Sequence, residues 1–219
     1  MAPVFHRPAT LGAVRAVTVS LLATGTLALL GWLVQFGLDT GLSPLHAPPG
    51  ELGAAGRPHG VVFRAAELVA GLALILASPP LLRLAPVHRQ ARLTVGVVFA
   101  VGLLLVLRAA FPLDCAASAG EVCADPSAGH RVHEAASTLL NLAYIVGALS
   151  LMLWWPRGWR TLAAVAFAIE VLAWLAVVLL EPGHFAGIVG RVQLVTLLAV
   201  ICAGAAYLLT AGRVPGGTD

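Results

Sequence analysis

Arg64 and Glu67 stand one helical turn apart inside an apolar run, and similar intrusions of charge into hydrocarbon recur further along the chain. They occur at Arg108, at the trio His130, His133 and Glu134, at Glu181 and His184, and at Arg191. Each residue type carries definite chemistry. Guanidinium forks match the oxygens of phosphate and carboxylate, so Arg64, Arg108 and Arg191 are suited to hold an anionic head group. Glu67 and Glu134 would be their counter-ions, or proton-transfer groups where burial raises their pKa. His130, His133 and His184 would supply three imidazoles to a zinc ion with one open position. Glu134 or Asp114 would then be the base towards a metal-bound water. The structural alternative needs no ligand: Arg64 with Glu67, and Arg191 with Glu134 or Glu170, would be ion pairs that pin helices together.

Other signals are sparser. His133-Glu134 is followed by Ala135-Ala136-Ser137, so the second histidine of a zincin motif is missing, and no phosphate-binding loop or nucleophile elbow occurs. Cys115 and Cys123 fall in one connecting segment and are read as a disulfide, the simplest outcome in an oxidising compartment. The alternative is a metal site built from Asp114, Cys115, Cys123 and His130, although that spacing matches no standard zinc pattern. Cys202 lies in an apolar run and reads as a small packing residue.

The elements that must position these groups follow from composition. The chain is 59% hydrophobic and 11% charged, against roughly 25% charged residues in soluble domains. The bilayer is therefore the solvent for most of it. Spanning ~30 Å of hydrocarbon takes ~20 apolar residues in a helix. Six windows qualify, at 11–36, 60–84, 93–112, 131–155, 161–181 and 187–210. Only helices satisfy their own backbone in lipid at this length. The fold class is thus all-α, a polytopic six-transmembrane-helix bundle forming one domain over 1–219. The first apolar stretch is too long for a signal peptide and no small-residue cleavage site follows it. Pro79-Pro80 is expected to end or kink the second helix.

All thirteen basic residues are arginine, dispersed without a basic patch, which excludes a nucleic-acid role. With the amino terminus inside, eight arginines lie on the cytoplasmic side and five outside, and the inner loops carry no acid. The positive-inside rule then puts both termini in the cytoplasm of a multi-pass protein of the cytoplasmic membrane. Trp154, Trp155 and Trp159 form an aromatic belt at the inner interface. In this orientation nearly every intramembrane ionisable group falls in the outer half of its span, while Glu170 lies deepest, near mid-membrane.

That one-sidedness points to an outward-open polar pocket binding a lipid or small anionic ligand. The alternatives are a metal-assisted or acid–base hydrolase or transferase acting on a lipid head group, and an accessory subunit pairing with a membrane protein partner or a second copy of itself. A transporter would need a matching polar path through the inner halves.

Three stretches carry a family resemblance. They are Gly50-Glu51-Leu52-Gly53 leading to Phe63-Arg64; Pro112-Leu113-Asp114-Cys115 with Cys123, His130 and His133; and Gly187-Ile188-Val189-Gly190-Arg191. The chain resembles the bacterial integral membrane family known as domain of unknown function 998. Gly50 departs from that pattern, where serine is usual. The resemblance implies a six-helix membrane fold and draws attention to these same outer-face residues, but it implies no reaction.

Overall fold

A computed structural model describes residues 8–179 and 185–210. Within them lie six α-helices: α1 (Pro8–Leu29), α2 (Gly60–Leu84), α3 (Arg89–Ala110), α4 (Ala128–Trp154), α5 (Arg157–Leu179) and α6 (Ala186–Thr210). A 3-10 segment at Leu30–Phe36 prolongs α1, and short 3-10 turns occur at Pro49–Gly53 and Ala117–Ala119. All six helical spans are long and apolar enough to cross a membrane. Large apolar side chains such as Leu27, Val61, Leu76 and Leu172 project outward, as they must where lipid replaces water. The molecule is a multi-pass membrane protein.

The ends of the helices follow local chemistry more than hydropathy. α3, α4 and α5 begin three or four residues earlier than their apolar windows, because polar first turns still continue a helix. The His88 side chain accepts from Ala91 N–H at 3.3 Å at the start of α3, and Ser127 Oγ accepts from His130 N–H at 3.1 Å at the start of α4. Proline sets the other limits. Phe111, Trp155 and Ala85 each precede a proline and leave the helical region, since the proline ring crowds the residue before it. α2 does not end at Pro79-Pro80: it runs through both to Leu84, and Ala85 N–H closes the last turn on Leu81 O at 2.8 Å.

Each helix packs on its neighbours in sequence, and α6 packs on α1 to close a six-membered up-and-down ring. The core along its axis comprises Leu22 and Leu29 (α1), Ala70, Leu74 and Ala77 (α2), Leu104 and Leu105 (α3), Leu140 and Tyr144 (α4), and Leu198 and Ile201 (α6). Close approach depends on small residues, which let backbones meet in lipid. A Cβ on Gly71 would lie 2.6 Å from Gly102 O, and one on Gly102 would lie 2.7 Å from Gly71 O. The α2–α3 crossing therefore admits nothing larger than glycine at either position. The alanine stripe of α2 receives α1: a Cβ on Gly31 would come within 2.8 Å of Ala66 Cβ.

One face of the ring carries the long connections 37–59 and 111–127; the other carries the short turns 85–88 and 155–156. The two long connections fold together as a cap. Ala55 N–H donates to Leu113 O at 2.7 Å, Ser118 bonds to Glu51 through its backbone N–H and hydroxyl, and Arg57 pairs with Glu121. Leu42, Ala47, Leu52, Ala54, Phe63 and Ala116 give the cap a small core of its own. Cys115 and Cys123 are joined in a disulfide, with Cα atoms 6.0 Å apart. At the opposite face Trp154, Trp155, Trp159 and Tyr207 form an aromatic cluster with ring centroids 5.9–6.4 Å apart.

Candidate functional site

Beneath the cap, between α1, α2, α3, α4 and α6, lies a cavity of about 430 Å³. Its polar wall is made by Glu67 from α2, Arg108 from α3, His133, Glu134, Ser137, Asn141 and Tyr144 from α4, and Gln193 from α6; the turn Pro48–Gly53 forms its roof. These groups converge because α2, α3, α4 and α6 each turn polar residues towards the same space beneath the cap.

Arg108 and Glu67 form the charged centre, Nη2 to Oε1 at 2.8 Å, with side chains 12% and 22% exposed. The pairing differs from the one read from sequence. Arg64, one turn from Glu67, turns away and donates from Nη1 to Gly53 O at 3.0 Å, bracing the cap. Arg108 retains unspent donor capacity, since its buried Nε has no partner among the described residues.

His133 is 3% exposed and its tautomer follows from its neighbours. Nδ1 lies 3.0 Å from Phe111 O and 3.2 Å from Arg108 O, two acceptors, so Nδ1 carries the hydrogen. The neutral ring then presents the Nε2 lone pair, which has no partner among the described residues. Gly50 in the roof stands over both groups: a Cβ there would lie 2.5 Å from Arg108 Nη2 and 3.3 Å from His133 Nε2. The unfamiliar glycine at this position thus leaves room over the guanidinium.

The other residues singled out from sequence lie elsewhere. Arg191 is 9% exposed and does not line the cavity. Its Nη1 donates to Pro44 O at 2.5 Å, Ala47 O at 2.8 Å and Gly187 O at 2.8 Å, and its Nη2 to Gln35 Oε1 at 2.6 Å. The Trp32 ring stacks 5.7 Å from its guanidinium carbon. Arg191 therefore clamps the first long connection onto α6 and pairs with neither Glu134 nor Glu170. His130 is buried and does not line the cavity either. Asp114 N–H donates to its Nδ1 at 3.1 Å, and Nε2 lies 3.4 Å from Oε1 of the exposed Glu134. Asp114 ties the connection to α4, accepting from Ser127 N–H at 2.7 Å and Ser127 Oγ at 2.9 Å. Those two bonds hold the Asp114 carboxyl below its ordinary pKa.

His184 and Glu181 lie outside the described residues. Among those described, the metal-capable donors that cluster are Cys115, Cys123 and His130, within 4.8 Å of one another; the two sulfurs are bonded to each other and His133 is not part of the group.

Two glutamines join these groups without being ionisable: Gln35 accepts from Arg191, and Gln193 lines the cavity. An amide inside an apolar span was the available signal, since it too is costly to bury unpartnered.

No curated protein and no solved structure matches the chain. A family model described as "Protein of unknown function (DUF998)" matches residues 10–207, and the chain belongs to that family.

Proposed function

We propose that this protein binds a small anionic ligand or the acidic head group of a lipid in the cavity beneath the cap, and that the cap faces the outside of the cytoplasmic membrane. The arginine bias supports the orientation. The observation that carries the ligand is the union, in one cavity of about 430 Å³, of Arg108 with unspent donors and His133 with a free acceptor nitrogen. A guanidinium engaged once by Glu67 still has donors for a phosphate or carboxylate. The Nε2 lone pair of His133 favours a ligand that also carries a hydroxyl. Lipid access is natural for a site at this depth, where charge is retained only for a purpose.

The accessory-subunit reading draws less support, because Arg108, Glu67 and Arg191 find their partners within this chain. The hydrolytic reading draws its base from His133 in preference to Asp114, which is committed to Ser127.

Native mass spectrometry of detergent-purified protein titrated with phosphatidic acid and with phosphatidylcholine tests the binding. Phosphatidic acid should bind more tightly, and Arg108→Gln should remove that preference, by on the order of tenfold or more for a buried charged contact. Equal retention of both lipids by wild type and Arg108→Gln would refute it.

A further inference from the structure

A second cavity, of about 150 Å³, begins where the first ends. Tyr144 lines both. The second cavity extends towards the short-turn face, past Val97 and Val101 of α3 and Val200 and Gly204 of α6, to Trp154, Trp155 and Tyr207. Its walls are hydrocarbon and aromatic rings, with Thr94 and Thr196, whose hydroxyls are bonded within the protein, and the carboxyl of Glu170 of α5. Among the described residues, no arginine or histidine lines it.

Glu170 is 2% exposed, and neither carboxyl oxygen has a hydrogen-bond partner among the described residues. The Gln193 side chain of α6 is its polar neighbour, but an amide brings no counter-charge, and its Nε2 makes no hydrogen bond of ordinary geometry among the described residues. A buried carboxylate without a counter-charge is among the most costly groups a protein can hold. Water would find few partners along the remaining walls of such a slot, and apolar cavities of about this size stay dry and accept hydrophobic guests. The arrangement is therefore an apolar slot with one acidic group at its deep end and aromatic rings at the other. From Thr196 to Tyr207, both of which line the slot, eleven residues of α6 advance roughly 17 Å, so the slot is long and narrow.

We propose that this slot binds a hydrophobic monocation, a single-chain alkyl amine, with its ammonium group on the Glu170 carboxylate and its chain lying along the cavity towards Trp154 and Tyr207. The ammonium supplies the missing counter-charge and donors, and the chain replaces empty space with dispersion contacts. The site is separate from the Arg108 cavity in charge as well as place: one favours an anion, the other a cation.

The test compares octylamine with octanol, which share a chain and differ in charge, on protein reconstituted in nanodiscs of neutral lipid. Binding is read from the fluorescence of Trp154 and Trp155, which line the slot. Wild type should bind octylamine at least tenfold more tightly than octanol. Glu170→Gln, which preserves shape, should bring octylamine down to the level of octanol and leave octanol unchanged. Ala166, one turn before Glu170 and also lining the slot, offers a second variant: Ala166→Leu should fill the space and weaken both ligands. Arg108→Gln should leave octylamine binding intact, which separates this proposal from the anion site. Equal affinity for octylamine and octanol in wild type, no binding of either, or octylamine binding unchanged by Glu170→Gln would overturn the proposal.

Discussion

Replacing Arg191 with methionine offers the sharpest test of how this molecule is held together. The wild-type guanidinium satisfies three carbonyl oxygens, of Pro44, Ala47 and Gly187, and the amide oxygen of Gln35, at 2.5–2.8 Å. Methionine fills much of the same volume with no donor. Each hydrogen bond to a charged donor is worth about 1.5–3 kcal/mol, but four to one side chain are not additive. Some of the abandoned oxygens will find water near the cap, while the side chain itself becomes cheaper to bury. A net loss of about 3–5 kcal/mol is the reasonable balance. At roughly 2–4 °C per kcal/mol for a chain of this size, the melting temperature should fall by about 6–20 °C. The assay is thermal unfolding in detergent, with limited proteolysis of 37–59 in parallel, since that connection should loosen first. Arg191→Lys should recover part of the loss, because an ammonium reaches fewer of the four acceptors than a planar fork does. A methionine variant that melts with wild type, with the connection equally protected, would refute the reasoning and return Arg191 to the list of ligand-binding candidates.

Removing the counter-ion at the cavity should have the opposite consequence for binding: Glu67→Gln frees Arg108 and should raise phosphatidic acid affinity several-fold in the same mass-spectrometric titration. At the α2–α3 crossing, Gly102→Ala places a methyl group 2.7 Å from Gly71 O and should cost about 1–3 kcal/mol through overpacking, read as a lowered melting temperature. The clasp between Asp114 and Ser127 predicts a pH effect. Because the folded carboxyl titrates below its unfolded value, its contribution is complete above the ordinary carboxylate pKa and is lost as pH falls through the depressed folded value. Hydrogen exchange in 111–127 should therefore rise on acidification, and Asp114→Asn should remove that part of the pH response.

Much of this architecture is legible in the residues alone, for reasons that concern the solvent more than the fold. A helix in lipid must hide its own backbone, so six apolar windows imply six helices, and the α2 window coincides with the helix at both ends. Sequence position along a span also determines depth, because the rise per residue is constant. The gathering of Glu67, Arg108, His133 and Glu134 at one level could thus be read directly. So could the pairing of Cys115 with Cys123, the two cysteines of one connection.

What depth does not determine is direction around the helix axis, and the tertiary structure alone decided that. Arg64 and Glu67 are neighbours on one helix, yet Glu67 meets Arg108 of α3 and Arg64 meets the backbone of Gly53. The choice rests on how α2 is rotated, which the Gly71–Gly102 contact sets to a fraction of a turn. α6 is apolar on nearly every side and so carries little record in its sequence of which face turns inward. Arg191 consequently clamps Pro44 and Ala47, more than 140 positions away along the chain. Glu170 shows the same limit from the other side. Its depth was plain from sequence, but only the packing of α4, α5 and α6 reveals that no counter-charge among the described residues reaches it and that an apolar slot does.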